Sequence, residues 1–421
     1  MKEAFAQPGF RRLFVGLTAS MLGDSIMLLV LSIWVKTLTG SNALAGLTFV
    51  FTCIPALVAP FVGVWLDRVR RKPVLVWGNA ASAVGVLPLV LVRDAGDVWI
   101  IWLVAFLYGI SFIVLPAALN GLLKELMPDE LLVDANSSLQ TTKEAFRLFG
   151  PLAGAGLFAL VGGWAVAVVD AASFVLAAVV IAGLRLDEAE PERDETHVLR
   201  QVTTGARMLA ADRVLKHTLL AIATTLLVLG FSESAIYAVM DEFGRPATFV
   251  GVLVTIQGIG AVLGGLTASW MVKAYGEVAA IAVGLALLAL GIGGMSFAPS
   301  LWLLLAWAIP FGVALPWLMV GYMTMLQRRT PQAQMGRVST AAEVLLTVPQ
   351  AVSLAVGSAL IVFVDWRWLF ALMALVTGLA AAYVLARLRD QVGRGRVEDV
   401  PSVLAAAGAT PISTTIGDPP A

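Results

Sequence analysis

Residues 63–72 read Gly-Val-Trp-Leu-Asp-Arg-Val-Arg-Arg-Lys and lie at the junction of two apolar runs, near residues 43–66 and 73–92. Each run is close to the roughly 20 residues that a helix needs to cross a bilayer. Loops with several Lys and Arg residues stay on the cytoplasmic side of a membrane. The stretch therefore predicts two membrane-spanning helices joined by a basic loop on the inner side.

The composition extends this prediction to the whole chain. Of the 421 residues, 59% are apolar and 13% are charged, and the mean hydropathy is +0.89. A water-soluble protein of this length would have too little polar surface to cover its core. The formal net charge is zero, so we expect no nucleic-acid partner. The expected partner of this chain is the lipid bilayer.

Twelve apolar runs are long enough to span the membrane, which predicts an all-α membrane protein with twelve transmembrane helices. The predicted spans lie near residues 12–35, 43–66, 73–92, 98–123, 139–161, 165–185, 216–240, 248–272, 278–297, 301–326, 339–363 and 367–387.

The basic residues predict the orientation of these spans. Of 28 Lys and Arg residues, only Lys36, Arg93, Arg245 and Arg367 fall in the alternate set of gaps that begins with the gap between the first and second spans. The other 24 lie in the opposite set of gaps, at the termini, or at the ends of the helices that border them. Since cytoplasmic loops are enriched in Lys and Arg, we expect an inner-membrane protein with both termini in the cytoplasm.

An internal repeat divides the chain. The pattern Leu-x-x-x-x-Pro follows the fourth span at residues 123–128 and the tenth span at residues 326–331. Parallel halves of six helices are typical of one transporter architecture. The predicted units are an N-terminal six-helix half at residues 1–185, a cytoplasmic linker with an amphipathic helix at 186–215, a C-terminal six-helix half at 216–390, and a disordered cytoplasmic tail at 391–421.

Gly63, Asp67, Arg68, Arg71 and Lys72 match the loop signature Gly-x-Leu-Ala-Asp-Arg-x-Gly-Arg-Lys, so the stretch resembles the major facilitator superfamily. Its departures from the signature are similar to those of the branch that includes macrolide-efflux and enterobactin-export proteins. The resemblance implies a fold of two pseudo-symmetric six-helix halves and a gating role for the five residues. A loop that only fixes topology would explain the charge but neither Gly63 nor Asp67.

Gly150, Pro151 and Gly154 in the fifth span are similar to the Gly-Pro-x-x-Gly motif of antiporters in this family. The resemblance implies exchange of one solute for another. The same small residues also suit close packing of two helices, with proline loosening the backbone hydrogen bonds, and this simpler interpretation stays open.

Three ionisable residues near the inner ends of spans form a predicted inner gate network. Glu144 and Arg147 are three residues apart, so they share a face of the fifth span. Glu343 lies at a comparable depth in the eleventh span. We expect the three to act with Asp67 and Arg71, the alternative being charges at solvated helix ends.

Three carboxyl groups lie inside predicted spans, where ionisable groups are functional candidates by default. Asp24 is near the middle of the first span, Glu233 in the outer half of the seventh, and Asp170 near the outer end of the sixth. The family resemblance places the first and seventh spans on the cavity, so Asp24 and Glu233 are expected to face each other. Proton or substrate coupling is the predicted role, because a carboxyl removed from water can bind and release a proton. A structural hydrogen bond from Ser20 or Ser25 to Asp24 is the alternative, and for Asp170 a structural role near the outer end of its helix is the main alternative.

Aromatic side chains supply stacking and apolar contact in pockets for lipophilic compounds. Exposure to lipid is the commoner use of such residues in membranes. The predicted pocket residues are Tyr108, Phe112, Phe231, Tyr237, Phe311 and Trp317.

The predicted function is that of a secondary transporter, not an enzyme. We expect a monomer that exports a lipophilic or amphiphilic small molecule, of the drug or macrolide type, in exchange for protons. A dedicated siderophore, metabolite or lipid exporter with the same fold is the alternative. A single cysteine, Cys53, and two histidines leave no metal cluster, so neither a metal nor a cofactor is expected.

Overall fold

The computed structural model describes residues 5–58, 62, 66, 69–184, 198–331 and 334–392. Nearly all of these residues are helical, and no strand occurs among them. The prediction of an all-α fold is confirmed.

The helices before the linker are α1 (Pro8–Thr39), α2 (Asn42–Cys53, extended by a 3-10 turn at Ile54–Val58), α3 (Arg71–Val86, followed by a 3-10 turn at Leu87–Leu91), α4 (Val98–Leu126), α5 (Asp129–Val161) and α6 (Gly163–Ala182). The linker contributes α7 (Val198–Ala211). The remaining helices are α8 (Arg213–Leu229), α9 (Ser232–Glu242), α10 (Val250–Tyr275), α11 (Glu277–Ser296), α12 (Leu301–Arg329), α13 (Met335–Leu360) and α14 (Trp366–Leu388).

Local sequence signals set several of these boundaries. Ser41 begins α2, with its hydroxyl accepting a hydrogen bond from the amide of Leu44 at 3.3 Å. The side chain of Asp212 accepts from the first amides of α8 and separates that helix from α7. Gly162 has φ of 97°, a value that favours glycine, and it reverses the chain between α5 and α6 within one residue.

Ten described helices are long and apolar enough to cross a membrane, and the bent pair α8 and α9 makes an eleventh span. The remaining predicted span, at residues 43–66, is helical from Asn42 to Val58, and most of its residues after Val58 lie outside the described ones. The fifth helix begins at Asp129, well before the predicted residue 139. Proline at position 128 is suited to the start of a helix, and the polar residues that follow it belong to the same helix.

Glycines allow close helix packing, which is the main source of helix association in lipid. A Cβ atom at Gly260 or Gly264 of α10 would meet the backbone oxygen of Ile309 or Val313 of α12. Gly163 at the start of α6 lies against the ring of Trp34 in α1.

Among the described residues, the buried cores connect the two sets of helices on one side only. A cluster around Trp34, Tyr108 and Phe174 belongs to the first set, and a cluster around Leu285 and Tyr322 to the second. A further cluster, on the predicted outer side, includes Ile33 and Ala45 of the first set together with Tyr237 and Leu253 of the second. The two sets therefore share a continuous apolar core toward the predicted outer surface.

Candidate functional site

Asp170 of α6 is fully buried inside the first set of helices. Its Oδ2 accepts a hydrogen bond from the hydroxyl of Tyr108 in α4. Its backbone oxygen accepts a hydrogen bond from the hydroxyl of Ser173 at 2.7 Å. The Oδ1 atom is buried without a hydrogen-bond partner in the described part of the chain. One carboxyl oxygen is thus held by a donor while the other remains unsatisfied.

Asp24 of α1 lies beside this group. The neighbouring Gly23 allows the close approach of α6, because a Cβ atom there would collide with Asp170 Oδ1 and the hydroxyl of Ser173. Asp24 and Asp170 interact electrostatically, and Lys143 of α5 is the cation that acts on Asp24. The structure therefore brings Asp24 together with Asp170, and the position of Asp24 opposite Glu233 stays a prediction.

Glu233 lies at a break in the seventh span. The axes of α8 and α9 differ by 41°, and Glu233 is in the first turn of α9. Two close contacts with α13 hold the break: Gly230 packs against Ser353, and Gly357 packs against Phe231. The ionisable groups that feel the charge of Glu233 are Cys53 of α2 and Tyr237 of α9.

Polar contacts join α1 to α9 on the predicted outer side. Lys36 Nζ lies 2.5 Å from Asp241 Oδ2 and donates a second hydrogen bond to the Gly40 carbonyl at 2.8 Å. Lys36 is only 8% exposed, so Asp241 neutralises a buried positive charge. The Tyr237 hydroxyl donates to Ser32 Oγ at 2.8 Å.

A third contact lies one turn nearer the break. The hydroxyl of Ser234 in α9 packs against Gly46 of α2 and is 3.0 Å from the hydroxyl of Ser358 in α13. We call the three contacts Lys36–Asp241, Ser32–Tyr237 and Gly46–Ser234 the outer interface.

Lys36 and Asp241 are not predicted as a functional pair from the sequence. Lys36 counted only as an outer cation, and Asp241 follows the predicted seventh span. A lysine directly after an apolar helix is an available signal, because the long side chain can fold back along that helix.

The loop signature is only partly described. Gly63, Asp67 and Arg68 lie outside the described residues. Lys72 Nζ donates to the carbonyl of Leu184 after α6 at 2.6 Å. The side chain of Arg71 lies against Gly121 of α4. The basic start of α3 is therefore fixed to α4 and α6, and the gating role of the signature stays a prediction.

The inner gate residues lie on α5 and α13. Arg147 and Glu343 are exposed on these helices, and the side chain of Glu144 lies outside the described part of the structure. Their action as one network stays a prediction.

Gly150 and Gly154 bring α5 against α1. A Cβ atom at Gly150 would collide with Ser25, and one at Gly154 would collide with the backbone oxygen of Ile26. Pro151 lies inside the helix, and its carbonyl faces Gly251 of α10. The motif thus lies where α5 contacts both sets of helices.

The predicted pocket aromatics divide into two groups. Four are buried in specific contacts: Tyr108 with Asp170, Tyr237 with Ser32, and Phe231 and Phe311 in the core on the predicted outer side. Phe112 is 37% exposed, and Trp317 donates its indole N–H to Thr267 at 2.9 Å. A role in binding substrate stays a prediction for all six.

No cluster of three or more His, Cys, Asp or Glu side chains able to hold a metal ion occurs in the described ranges. Two sets of membrane-length apolar helices, joined by a shared apolar core on the predicted outer side, are typical of a transporter. The class is that of a multi-pass membrane protein with a small-molecule substrate, and not an enzyme.

A family model described as Major Facilitator Superfamily matches residues 13–240 and 218–419, and the chain belongs to this superfamily. It is 26% identical over 368 residues to the MFS-type transporter YfiS of Bacillus subtilis (strain 168), covering 84% of this chain and 87% of YfiS. It is 25% identical to the enterobactin exporter EntS of Shigella boydii serotype 4 (strain Sb227), covering 84% of each chain.

Solved structures show the same fold at low identity. A bacterial homologue of the iron transporter ferroportin in its inward-facing state aligns with a TM-score of 0.67 and 16% identity, covering 90% of this chain and 98% of that chain. The nucleoside transporter NupG aligns with a TM-score of 0.68 and 12% identity, covering 91% and 99%. The predicted major facilitator fold is confirmed.

Proposed function

We propose that this protein exports an amphiphilic small molecule by alternating access and exchanges it for protons. It acts as a monomer in the inner membrane, with both termini in the cytoplasm and with the domain boundaries given by the sequence analysis. The observation that carries the proposal is the carboxyl pair of half-buried Asp24 and fully buried Asp170, with Tyr108 as the hydrogen-bond donor to Asp170.

A charge count supports proton binding at this pair. Asp24 and Asp170 carry two negative charges when ionised, and Lys143 supplies one positive charge. An uncompensated charge in a membrane-embedded site is strongly unfavourable, and one bound proton removes it. The unsatisfied Asp170 Oδ1 offers a position for that proton. The pair therefore suits the binding and release of a single proton.

Alternating access requires that the two sides open in turn. The outer interface closes the predicted outer side in the described state. The inner gate network of Glu144, Arg147 and Glu343, with Asp67 and Arg71 of the loop signature, would close the opposite side in the alternate state. Gly150, Pro151 and Gly154 would allow α5 to move against α1 and α10 between these states.

Two classes of substrate fit this arrangement. A lipophilic drug, of the macrolide or organic-cation type, suits the carboxyl groups and the aromatic residues Phe112 and Trp317. A siderophore is the second candidate, because the 25% identical relative EntS is an enterobactin exporter. The two classes differ in charge, so transport of each can be measured separately.

The test is uptake into everted membrane vesicles with an imposed proton gradient. The panel contains a fluorescent lipophilic cation, a macrolide and a catecholate siderophore. We expect gradient-dependent uptake of at least one class by the native chain and its loss in Asp24→Asn. Uptake that proceeds equally without a gradient, or that Asp24→Asn does not change, would contradict proton exchange at this pair.

A further inference from the structure

The helices α8 and α14 are joined by polar contacts at their predicted inner ends. The Nδ1 atom of His217 in α8 lies 2.5 Å from the hydroxyl of Tyr383 in α14. One turn further toward the predicted inner surface, Arg213 donates a hydrogen bond to the carbonyl oxygen of Arg387. The guanidinium of Arg387 lies over the Tyr383 ring, 5.9 Å from its centroid. We call Arg213, Lys216, His217, Tyr383 and Arg387 the inner basic cluster.

The positive charges of this cluster converge on one point. Arg213, Lys216 and Arg387 all act electrostatically on the imidazole of His217. The three cations are exposed, and the rings of His217 and Tyr383 between them are half-buried. Enrichment of cations on the inner side of a membrane explains their presence there, but it does not explain their convergence on two packed helices.

The neighbouring carboxylates do not balance this charge. Asp390 Oδ2 lies 3.6 Å from Arg213. Asp212 accepts hydrogen bonds from the first amides of α8, and its Oδ2 lies 3.2 Å from Arg329. Among the described residues, no carboxylate lies within ion-pair distance of Lys216 or Arg387. Two positive charges of the cluster therefore have no counter-ion in the described structure.

The helix dipole adds to this imbalance. Arg213 and Lys216 lie in the first turn of α8, where the positive end of the dipole disfavours cations. Arg387 lies in the last turn of α14, where a cation is favourable. Stabilisation of helix ends therefore accounts for Arg387 but not for Arg213 and Lys216. An anion bound at the cluster would remove the repulsion.

An exposed apolar surface continues from the cluster toward the predicted middle of the membrane. Leu220 of α8 is exposed one turn beyond Lys216. Leu379 and Leu375 of α14 are exposed one and two turns beyond Tyr383 in the same direction. Cations at one end and exposed leucines along the spans match a ligand with an anionic head and apolar chains.

We propose that the inner basic cluster binds the headgroup of an anionic phospholipid, with the acyl chains lying along the exposed leucines of α8 and α14. Ammonium and guanidinium groups donate charge-assisted hydrogen bonds to phosphate oxygens, and basic sites between membrane helices on the cytoplasmic side suit anionic headgroups. A zwitterionic lipid carries its own cation and would leave the excess charge unbalanced. The inference does not depend on the proposed export function, because the cluster belongs to neither the carboxyl pair nor the outer interface.

The test is native mass spectrometry of the full-length protein in detergent. The protein is titrated with phosphatidylglycerol or with phosphatidylcholine of the same acyl chains, and glycerol phosphate is added as a water-soluble competitor. Lys216→Gln with Arg387→Gln removes two cations of the cluster. The matched control, Arg12→Gln with Lys273→Gln, removes two exposed cations from other predicted inner helix ends.

We expect the native chain to bind the first phosphatidylglycerol at least tenfold more tightly than phosphatidylcholine. Lys216→Gln with Arg387→Gln should weaken phosphatidylglycerol binding about thirtyfold, which corresponds to about 2 kcal/mol, or about 1 kcal/mol per cation. The control should weaken it less than about threefold, because its cations lie elsewhere on the inner surface. Lys216→Arg with Arg387→Lys keeps both charges and should retain the preference, which separates loss of charge from misfolding. Lys216→Gln alone should weaken binding about fivefold.

Equal affinity of the native chain for the two lipids would overturn the inference. An equal loss in the control variant, or unchanged affinity in Lys216→Gln, would also contradict it. Displacement of phosphatidylglycerol by glycerol phosphate at a comparable concentration would assign the cluster to a free phosphate and overturn the lipid site.

Discussion

At the scale of single residues, Asp170 depends on one donor. The Tyr108 hydroxyl reaches Asp170 Oδ2, and the opposite carboxyl oxygen is buried without a partner in the described structure. Gly23 keeps α1 close enough for Asp24 to share this environment. A single hydroxyl therefore influences the proton affinity of the whole carboxyl pair.

Removal of this hydroxyl should slow proton release. In Tyr108→Phe, the buried Asp170 carboxyl loses its donor, so its neutral form is favoured. We expect several-fold slower gradient-driven uptake into everted vesicles at external pH 7, with recovery as the external pH is raised, because the external face receives the proton. Tyr322→Phe, at a buried tyrosine of the second set, is the control. A pH profile identical in Tyr108→Phe and native protein would exclude this role.

At the scale of helices, α1 packs against α5 and α6 and also contacts α9. Its contacts with α5 pass through glycines, and its contacts with α9 are an ion pair and a hydrogen bond. Close packing at glycines leaves no room for an added atom, whereas an ion pair and a hydrogen bond can break and form again. We therefore expect the α1–α9 contacts to be the ones that change during transport.

Two glycines of α5 form a matched pair for testing the packing. Gly154→Ala would press a methyl group onto the backbone oxygen of Ile26, while the Cβ position of Gly156 is open. We expect Gly154→Ala to lower the free energy of unfolding by about 1–3 kcal/mol. Gly156→Ala should be neutral or stabilising by up to about 1 kcal/mol, since alanine favours helix. Denaturant titration of the purified proteins measures both, and equal effects would refute the packing assignment.

The outer interface should open when its ion pair is broken. Asp241→Asn leaves Lys36 charged and buried, with the Gly40 carbonyl as its remaining contact in the described structure. A membrane-impermeant maleimide added to intact cells should then label Cys53 several-fold faster than in the native chain.

The matched control for this experiment is Asp94→Asn, at an exposed residue of another outer segment. The exchanged pair Lys36→Asp with Asp241→Lys should restore slow labelling. Fast labelling of Cys53 from outside in the native chain would show that the outer interface does not close the site.

At the scale of the whole molecule, the distribution of basic residues predicts the topology. Four of 28 Lys and Arg residues fall in the predicted outer gaps. We expect a green fluorescent protein fused to the C-terminus to fluoresce, and alkaline phosphatase inserted after Gly162 or Ser300 to be active. An active phosphatase at the C-terminus would reverse the assigned orientation and with it the direction of transport.

Most of the fold could be predicted from the sequence, because span length and basic loops are local signals. The break before Ser232 could not, since it contains no proline and depends on Gly230 and Gly357 packing between α9 and α13. The Asp24–Asp170 pair was missed for a similar reason: the two residues are far apart in the chain, and only the packing of α6 on Gly23 brings them together.

The measurement that tests the central claim most directly is proton movement driven by substrate. Everted vesicles with an acidic lumen and a pH-sensitive dye receive a transported lipophilic cation from outside. If the protein exchanges the cation for protons, adding the cation makes the lumen more alkaline in vesicles that contain the native chain. In vesicles that contain Asp24→Asn, adding the cation leaves the luminal pH unchanged. Uptake of the cation without any change in luminal pH would contradict proton-coupled export.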